Sequence, residues 1–281
     1  MKARILAFAA LAVLVWSGQS PAQDNQAKAI TIATEGAFPP WNAVDTAGQP
    51  IGFDIDVGKA LCERAKLTCT FVTQAWDGII PALKVGKFDA IMAGMSITDK
   101  RKEVIAFSEP YALTSNYFVV AKTAALPSLA GDARLDLSSS SDNDKTLLQT
   151  LKHNLQGKVI GVQGSTNAEA FVRQYLGDAV DVRSYDTQDN LNLDLSAGRI
   201  DAGLADYSVW QEFLQSNEGA AAEIYGPRIS GGIFGPGVGI GMRKEDSALV
   251  DRLNAAIDAA RADGTLRQIS IQWFHADLVS E

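Results

Sequence analysis

The chain has 281 residues, 47% apolar and 21% charged, with 25 Lys and Arg against 33 Asp and Glu. That length fits two compact lobes, and the apolar share excludes a wholly disordered chain. A formal charge of −8 leaves no basic footprint for nucleic acid, so no such partner is expected, and mildly favours cationic small molecules.

Residues 1–22 read as a secretory signal. Lys2 and Arg4 open it, an apolar run from Ile5 to Trp16 follows, and Ser20-Pro21-Ala22 offers small residues for cleavage. The run is too short for a bilayer core of about 30 Å, which needs roughly 20 residues; an uncleaved interfacial anchor is the alternative. The expected mature protein is exported and soluble. Its two cysteines, Cys62 and Cys69, would then meet an oxidising compartment, where a local disulfide is expected ahead of free thiols. Metal is a weaker alternative, because His153 and His275 lack ligand spacing; neither metal nor cofactor is expected.

In chain order, residues 30–33 predict a strand. After a loop, Val57, Leu61 and Ala65 carry helical spacing, and 67–72 predict the next strand. Asp77 opens a helical pattern through Ile79, Ile80 and Leu83 that stops at Gly86, followed by a strand over 88–92. Residues 117–121 form an extended connecting segment. Residues 124–145, with the run Ser138-Ser139-Ser140-Ser141, predict an irregular surface insertion. The second half runs strand 159–162, loop 163–167, helix 168–175, strand 180–185, a helical pattern from Asp189 to Gly198, and strand 200–204. Residues 224–227 suit a return crossing. The glycines at 235, 237, 239 and 241 alternate with Val238, Ile240 and Met242, which suits a strand better than a phosphate cradle, since Lys244-Glu245 is no Walker pair. A last helix places Leu249, Leu253, Ala256, Ile257 and Ala260 on one side, and Trp273 and Phe274 are expected as core anchors.

One unit repeats. Gly86-Lys87-Phe88-Asp89-Ala90 returns 112 residues later as Gly198-Arg199-Ile200-Asp201-Ala202, each preceded by an Asp-to-Gly helical pattern and followed by an apolar strand. Alternating strands and helices, twice over, predict an α/β fold of two lobes with mostly parallel sheets. Ligands of such sheets bind beyond the carboxyl ends of the strands. Those ends hold Glu35, residues 93–96, residues 163–167 and Asp206, a set with charges and hydroxyls but no imidazole or thiol. A Ser-His-Asp hydrolase is therefore not expected, and no Gly-x-Ser-x-Gly elbow occurs. Glu35 with Asp54 could run acid–base work; Asp54 reads more simply as a helix N-cap.

Four stretches carry a resemblance: Ile51-Gly52-Phe53-Asp54-Ile55-Asp56-Val57, Ile91-Met92-Ala93-Gly94-Met95-Ser96-Ile97-Thr98-Asp99-Lys100-Arg101, Gly198-Arg199-Ile200-Asp201-Ala202 and Gly241-Met242-Arg243-Lys244-Glu245-Asp246. With them, the mature chain resembles the periplasmic amino-acid-binding proteins of ABC importers (solute-binding protein family 3), in the lysine/arginine/ornithine/histidine and octopine/nopaline branch. The Cys62/Cys69 spacing resembles the family disulfide. The resemblance implies a periplasmic monomer, no enzyme, that hands its ligand to a membrane permease. It implies two hinged lobes, residues 23–119 plus 226–281 and residues 120–225, closing on one amino acid or opine. Carried onto this chain, Arg101 would clamp the ligand carboxylate, with hydroxyl bonds from Ser96 and Thr166 and with Asn167 and Gln163 nearby. Asp206 would accept the α-ammonium; Glu35, Phe38 and Trp76 would meet a cationic side chain. Where relatives often have Tyr and Ser, this chain has Phe38, Ala93 and Gly94, which implies an enlarged pocket. Arginine or a related cationic amino acid is the expected ligand, with arginine-derived opines second, because Asp206 would repel the extra opine carboxylate. A cyclohexadienyl dehydratase-like enzyme with Glu35 as acid, or a ligand-presenting sensor, remains the alternative.

Overall fold

A computed structural model of the chain describes residues 28–129 and 133–279; the expected signal at 1–22 lies outside them. The first half contains β1 (Lys28–Thr34), α1 (Phe53–Arg64), β2 (Leu67–Thr73), α2 (Trp76–Lys84), β3 (Ala90–Ile91), α3 (Asp99–Lys102), β4 (Ala106–Phe107) and β5 (Asn116–Ala121). Then come β6 (Arg134–Asp136), α4 (Asp142–Asn154), β7 (Val159–Gln163), α5 (Asn167–Phe171), β8 (Asp181–Tyr185), α6 (Gln188–Ser196), β9 (Ala202–Asp206) and α7 (Tyr207–Gln215). The chain closes with β10 (Ala222–Ser230), β11 (Gly241–Met242), α8 (Ser247–Ala262) and α9 (Thr265–Phe274).

Two larger sheets result, in the orders β2-β1-β3-β11-β4 and β8-β7-β9-β5-β10-β6, and the stretch expected as a loop after β1 holds a third, small antiparallel sheet of Ala37–Phe38, Asn42–Val44 and Pro50–Ile51. Each larger sheet has a parallel heart: Ile32 stands opposite Phe71 and Ala90 in one, Ile160 opposite Val182 and Ala202 in the other. Each then meets an antiparallel strand, β11 against β3 and β5 against β9. Helices cover both faces. On the first sheet, Val57 and Leu61 of α1 share a buried cluster with Leu253 and Ile257 of α8 and Phe274 of α9, while Ile79 and Leu83 of α2 pack with Ala33 and Ile91 on the other side. On the second, Phe171 packs with Phe118 and Val162 on one face, and Leu191 and Trp210 with Val119 on the other. Cys62 near the end of α1 and Cys69 on β2 form the expected disulfide.

The repeated Asp has a structural duty. Asp89 Oδ2 accepts the backbone N–H of Thr31 at 2.9 Å, and Asp201 Oδ2 accepts that of Val159 at 2.8 Å. Both carboxylates thus tie the residue entering β3 or β9 to the neighbouring parallel strand, β1 or β7.

Several local expectations change. Asp77 and Asp189 lie inside the first turns of α2 and α6, where their charge faces the positive helix end, but they are not the caps. Thr187, whose backbone is extended, caps α6 by accepting Asn190 N–H at 3.3 Å. Asp54 likewise sits within α1 and is buried, not capping. Gly86 and Gly198 do close their helices, at φ +77° and +65°. The helix expected over 168–175 is α5 followed by a π-helical turn, Val172–Leu176. Within the expected irregular stretch 124–145, β6 adds to the edge of β10, and α4 begins after Ser141, which accepts Asp144 N–H. The glycine-rich stretch contributes only the short β11 and bridges from Val238 to Ser96 and Ala112.

The strands β5 and β10 lie wholly in the second sheet, held by antiparallel pairs such as Val119 with Ile224 and Asn116 with Asp206. The chain therefore passes between the sheets within 108–115 and 231–240, outside the divisions expected at 119 and 225.

Candidate functional site

Strand polarity brings the site together. Glu35 follows β1, residues 93–96 follow β3, Gln163 ends β7 and Asp206 ends β9, so the carboxyl ends of four parallel strands meet. All eleven residues expected at the site (Glu35, Phe38, Trp76, Ala93, Gly94, Ser96, Arg101, Gln163, Thr166, Asn167 and Asp206) line one cleft. Its atom-free space, counting the part open to solvent, is about 580 Å³. Sequence reasoning missed Trp41, Thr114, Asn116, Ala168, Gln188 and the β9 residues Leu204 and Ala205. Asn116 was readable only through the ladder register that sets it opposite Asp206.

Arg101 supplies the positive pole. Thr98 caps the short α3 and accepts the Arg101 backbone N–H at 3.3 Å. The side chain donates from Nη1 to Ser96 O at 2.9 Å, and its guanidinium lies 5.1 Å from the centre of the Trp76 ring. The cation on Trp76 is therefore the chain's own. Burial pulls the Arg101 pKa down to about 10, and no carboxylate among the described residues forms an ion pair with it. A desolvated, unpaired guanidinium is a costly group whose planar fork matches a carboxylate.

Beside it, Asn167 Nδ2 donates to Ser96 Oγ at 2.9 Å. Thr166 departs from expectation. Its hydroxyl donates to Gln163 O at 2.6 Å while accepting Glu169 N–H as the α5 cap, so its proton is already engaged within the loop.

Two carboxylates form negative poles. Asp206 joins β9 to α7, accepting the backbone N–H of Ser208 at 2.9 Å and the Ser208 hydroxyl. Burial raises its pKa to about 6 against the lowering effect of those bonds and of the Trp41 side chain. Glu35 is 9% exposed. Burial drives its pKa up to about 7; the bond from Gln163 lowers it, and Asp189 and Asp77 add to the rise.

The aromatic wall is fixed by backbone geometry. Gly94 has φ +57°, and a Cβ there would stand 3.3 Å from the Phe38 ring. The missing side chain at Gly94 thus answers first to conformation and close packing rather than to pocket volume. Trp76 Nε1 and Thr114 Oγ1 are buried at the cleft without hydrogen-bond partners among the described residues, polar atoms that a ligand can satisfy.

The lobes touch directly across the cleft. Gln163 Nε2 donates to Glu35 Oε1 at 2.6 Å, Asn167 to Ser96, and Trp41 Nε1 to Ser208 Oγ at 2.7 Å. Val209 of α7 joins the buried cluster of Trp41, Phe53 and Phe274 in the first lobe.

Residues 30–276 match the model of the bacterial extracellular solute-binding proteins, family 3. The chain belongs to that family. It is 38% identical to the octopine-binding periplasmic protein of Rhizobium meliloti, with 98% of this chain and 99% of that one covered. It is 39% identical to the L-arginine-binding protein of Pseudomonas aeruginosa, covering 96% and 95%. Among solved structures it is similar to an ancestral arginine-binding protein bound to arginine, at a TM-score of 0.74 and 31% identity, covering 89% of this chain and 99% of that one. The α/β two-lobed architecture expected from the duplicated half agrees with these relatives. No helix among the described residues is long and apolar enough to cross a membrane.

Proposed function

We propose that this protein binds a cationic amino acid between its two lobes, arginine first, with lysine, ornithine, histidine or an arginine-derived opine as the alternatives. The observation that carries the reading is the charge set lining one cleft: Arg101, without an ion pair among the described residues, together with Asp206 and Glu35. An amino acid with a cationic side chain presents the complementary set of carboxylate, ammonium and distal cation. Arg101 with Ser96 and Asn167 takes the carboxylate, Asp206 the α-ammonium, and Glu35 beside Phe38 the side-chain cation. The names of the relatives support the same ligand class and a binding role without turnover.

The lobes of this reading are residues 28–107 plus 241–279 and residues 116–230, with the crossing segments 108–115 and 231–240 joining them. The ligand lowers the free energy of the shut form through contacts to both lobes, and the shut form docks on the permease of an ABC importer. The protein works in the periplasm as a monomer.

Mass spectrometry of ligand retained by the purified, then denatured protein, followed by calorimetry with arginine, lysine, ornithine, histidine, octopine and nopaline, tests this. Arginine is expected to bind best; an opine bound a hundredfold tighter, about 2.8 kcal/mol, would reverse the order. Turnover of prephenate or arogenate would replace the reading with the dehydratase one.

A further inference from the structure

The Asp206 carboxylate is held by a chain of donors that begins in the other lobe. Trp41, 1% exposed, is wedged between Phe53 and Phe274 at ring distances of 5.3 and 4.9 Å. Its indole N–H donates to Ser208 Oγ at 2.7 Å. An indole can only donate, so Ser208 Oγ is the acceptor there, and its single proton must point elsewhere. It goes to Asp206 Oδ1, the same oxygen that takes the Ser208 backbone N–H. Both Ser208 donors thus fall on one carboxylate oxygen, Oδ1, and the Trp41 side chain adds its own favourable interaction with the ionised carboxylate.

We propose that Ser208 and Trp41 are positioning residues for α-amine recognition: the Trp41 indole, arriving across the cleft, orients the Ser208 hydroxyl, which fixes the Asp206 carboxylate for the ligand's amino group. The indole reaches Ser208 only when the lobes are together, since Trp41 belongs to the first-lobe core and Ser208 to α7. The neighbouring Val209 buries itself against the same first-lobe cluster, so apolar docking and hydrogen bonding are made in one motion. Recognition of the amine is thereby coupled to closure, and neither Ser208 nor Trp41 needs to touch the ligand for this effect.

The inference rests on the reading that the cleft takes an α-amino acid. The experiment is calorimetry with arginine and with 5-guanidinopentanoic acid, which lacks only the α-amine, on wild type, Ser208→Ala, Trp41→Phe and the double variant. Trp41→Phe keeps a ring in the core and removes the donor; thermal melts of the unliganded proteins check folding. Each single variant is expected to weaken arginine about 10- to 100-fold, the scale of a hydrogen bond to a charged group, and to weaken the des-amino ligand by a factor at least about threefold smaller, which reports only the lost bond between the lobes. The double variant should resemble the weaker single one, because both changes break one chain. Ser208→Thr, which keeps the hydroxyl, should recover most of the arginine affinity. Equal losses for both ligands, or losses that multiply in the double variant, would overturn the proposal. Wild type that fails to bind arginine, or binds it no better than the des-amino ligand, would instead overturn the reading beneath it.

Discussion

Replacing Glu35 by Gln removes one charge from the distal end of the cleft while keeping the side chain's length and its capacity to accept from Gln163. In the unliganded protein burial lifts Glu35 from 4.5 to about 7, so ionised Glu35 is held away from water without a cationic partner among the described residues. A bound guanidinium supplies that partner, and a charge-assisted hydrogen bond is worth about 1.5–3 kcal/mol, or roughly 10- to 150-fold in affinity. Citrulline, the neutral isostere of arginine, shares its carboxylate and ammonium, so contributions from Arg101 and Asp206 cancel in the ratio of the two affinities. That ratio, measured by calorimetry at pH 8, should fall by the full amount in Glu35→Gln. In wild type it should also fall as pH drops to about 5.5, since ionising Glu35 roughly 1.5 units below its midpoint costs about 2 kcal/mol; the variant's ratio should stay flat. Stability moves oppositely. A carboxyl whose folded pKa is raised stabilises the fold below its unfolded pKa and loses that contribution as pH rises through the folded value. Between 4.5 and about 7 the loss for Glu35 amounts to roughly 3 kcal/mol, so Glu35→Gln should melt higher than wild type at pH 8 and not at pH 4. A variant that kept the arginine-to-citrulline ratio, with the same pH dependence as wild type, would refute the assignment of Glu35 to the side-chain cation.

Arg101→Ala should weaken every amino-acid ligand, charged or neutral, by at least 100-fold, and Arg101→Lys should restore little, because a point charge cannot replace a planar fork; selective loss for cationic ligands alone would contradict its place at the carboxylate. Asp54→Asn should lower the melting temperature by the equivalent of about 1–3 kcal/mol: its carboxylate accepts from Asn42, Gly94 and the Tyr111 hydroxyl at 3.0, 2.8 and 2.6 Å, and an amide matches only part of that set. An unchanged melt would show the network to be dispensable. Replacing Cys62 and Cys69 together by Ser should cost about 2.5 kcal/mol on the loop-entropy model for so short a ring, read in denaturant titrations, and leave arginine affinity within about twofold; a large loss of binding would mean that the staple reaches the cleft.

Periodicity and punctuation carried much of the fold. The spacing of Val57, Leu61 and Ala65, the helix-closing glycines 86 and 198, and the repeated Gly-basic-apolar-Asp-Ala unit were legible because they reflect local backbone preferences and a duplicated core. Helix caps were less legible. An Asp near a helix start serves equally as a cap or as a charge in the first turn, and only the backbone angle at Thr187 or the burial of Asp54 separates the two. The edge strand β6 stayed hidden because three residues pairing with the far end of β10 leave no periodic signal.

For the cleft the division is sharper. The amino-acid order alone determined which residues stand at the carboxyl ends of parallel strands, since alternating strands and helices leave little choice of polarity; Glu35, Ser96, Gln163 and Asp206 follow from that. Tertiary packing decided how those groups are used. Among the described residues Arg101 lacks an ion-pair partner, Glu35 meets Gln163, and Ser208 takes its proton donor from Trp41, 167 residues away. Such pairings come from the angle at which two separately folded sheets face each other, and no local rule of the chain contains that angle.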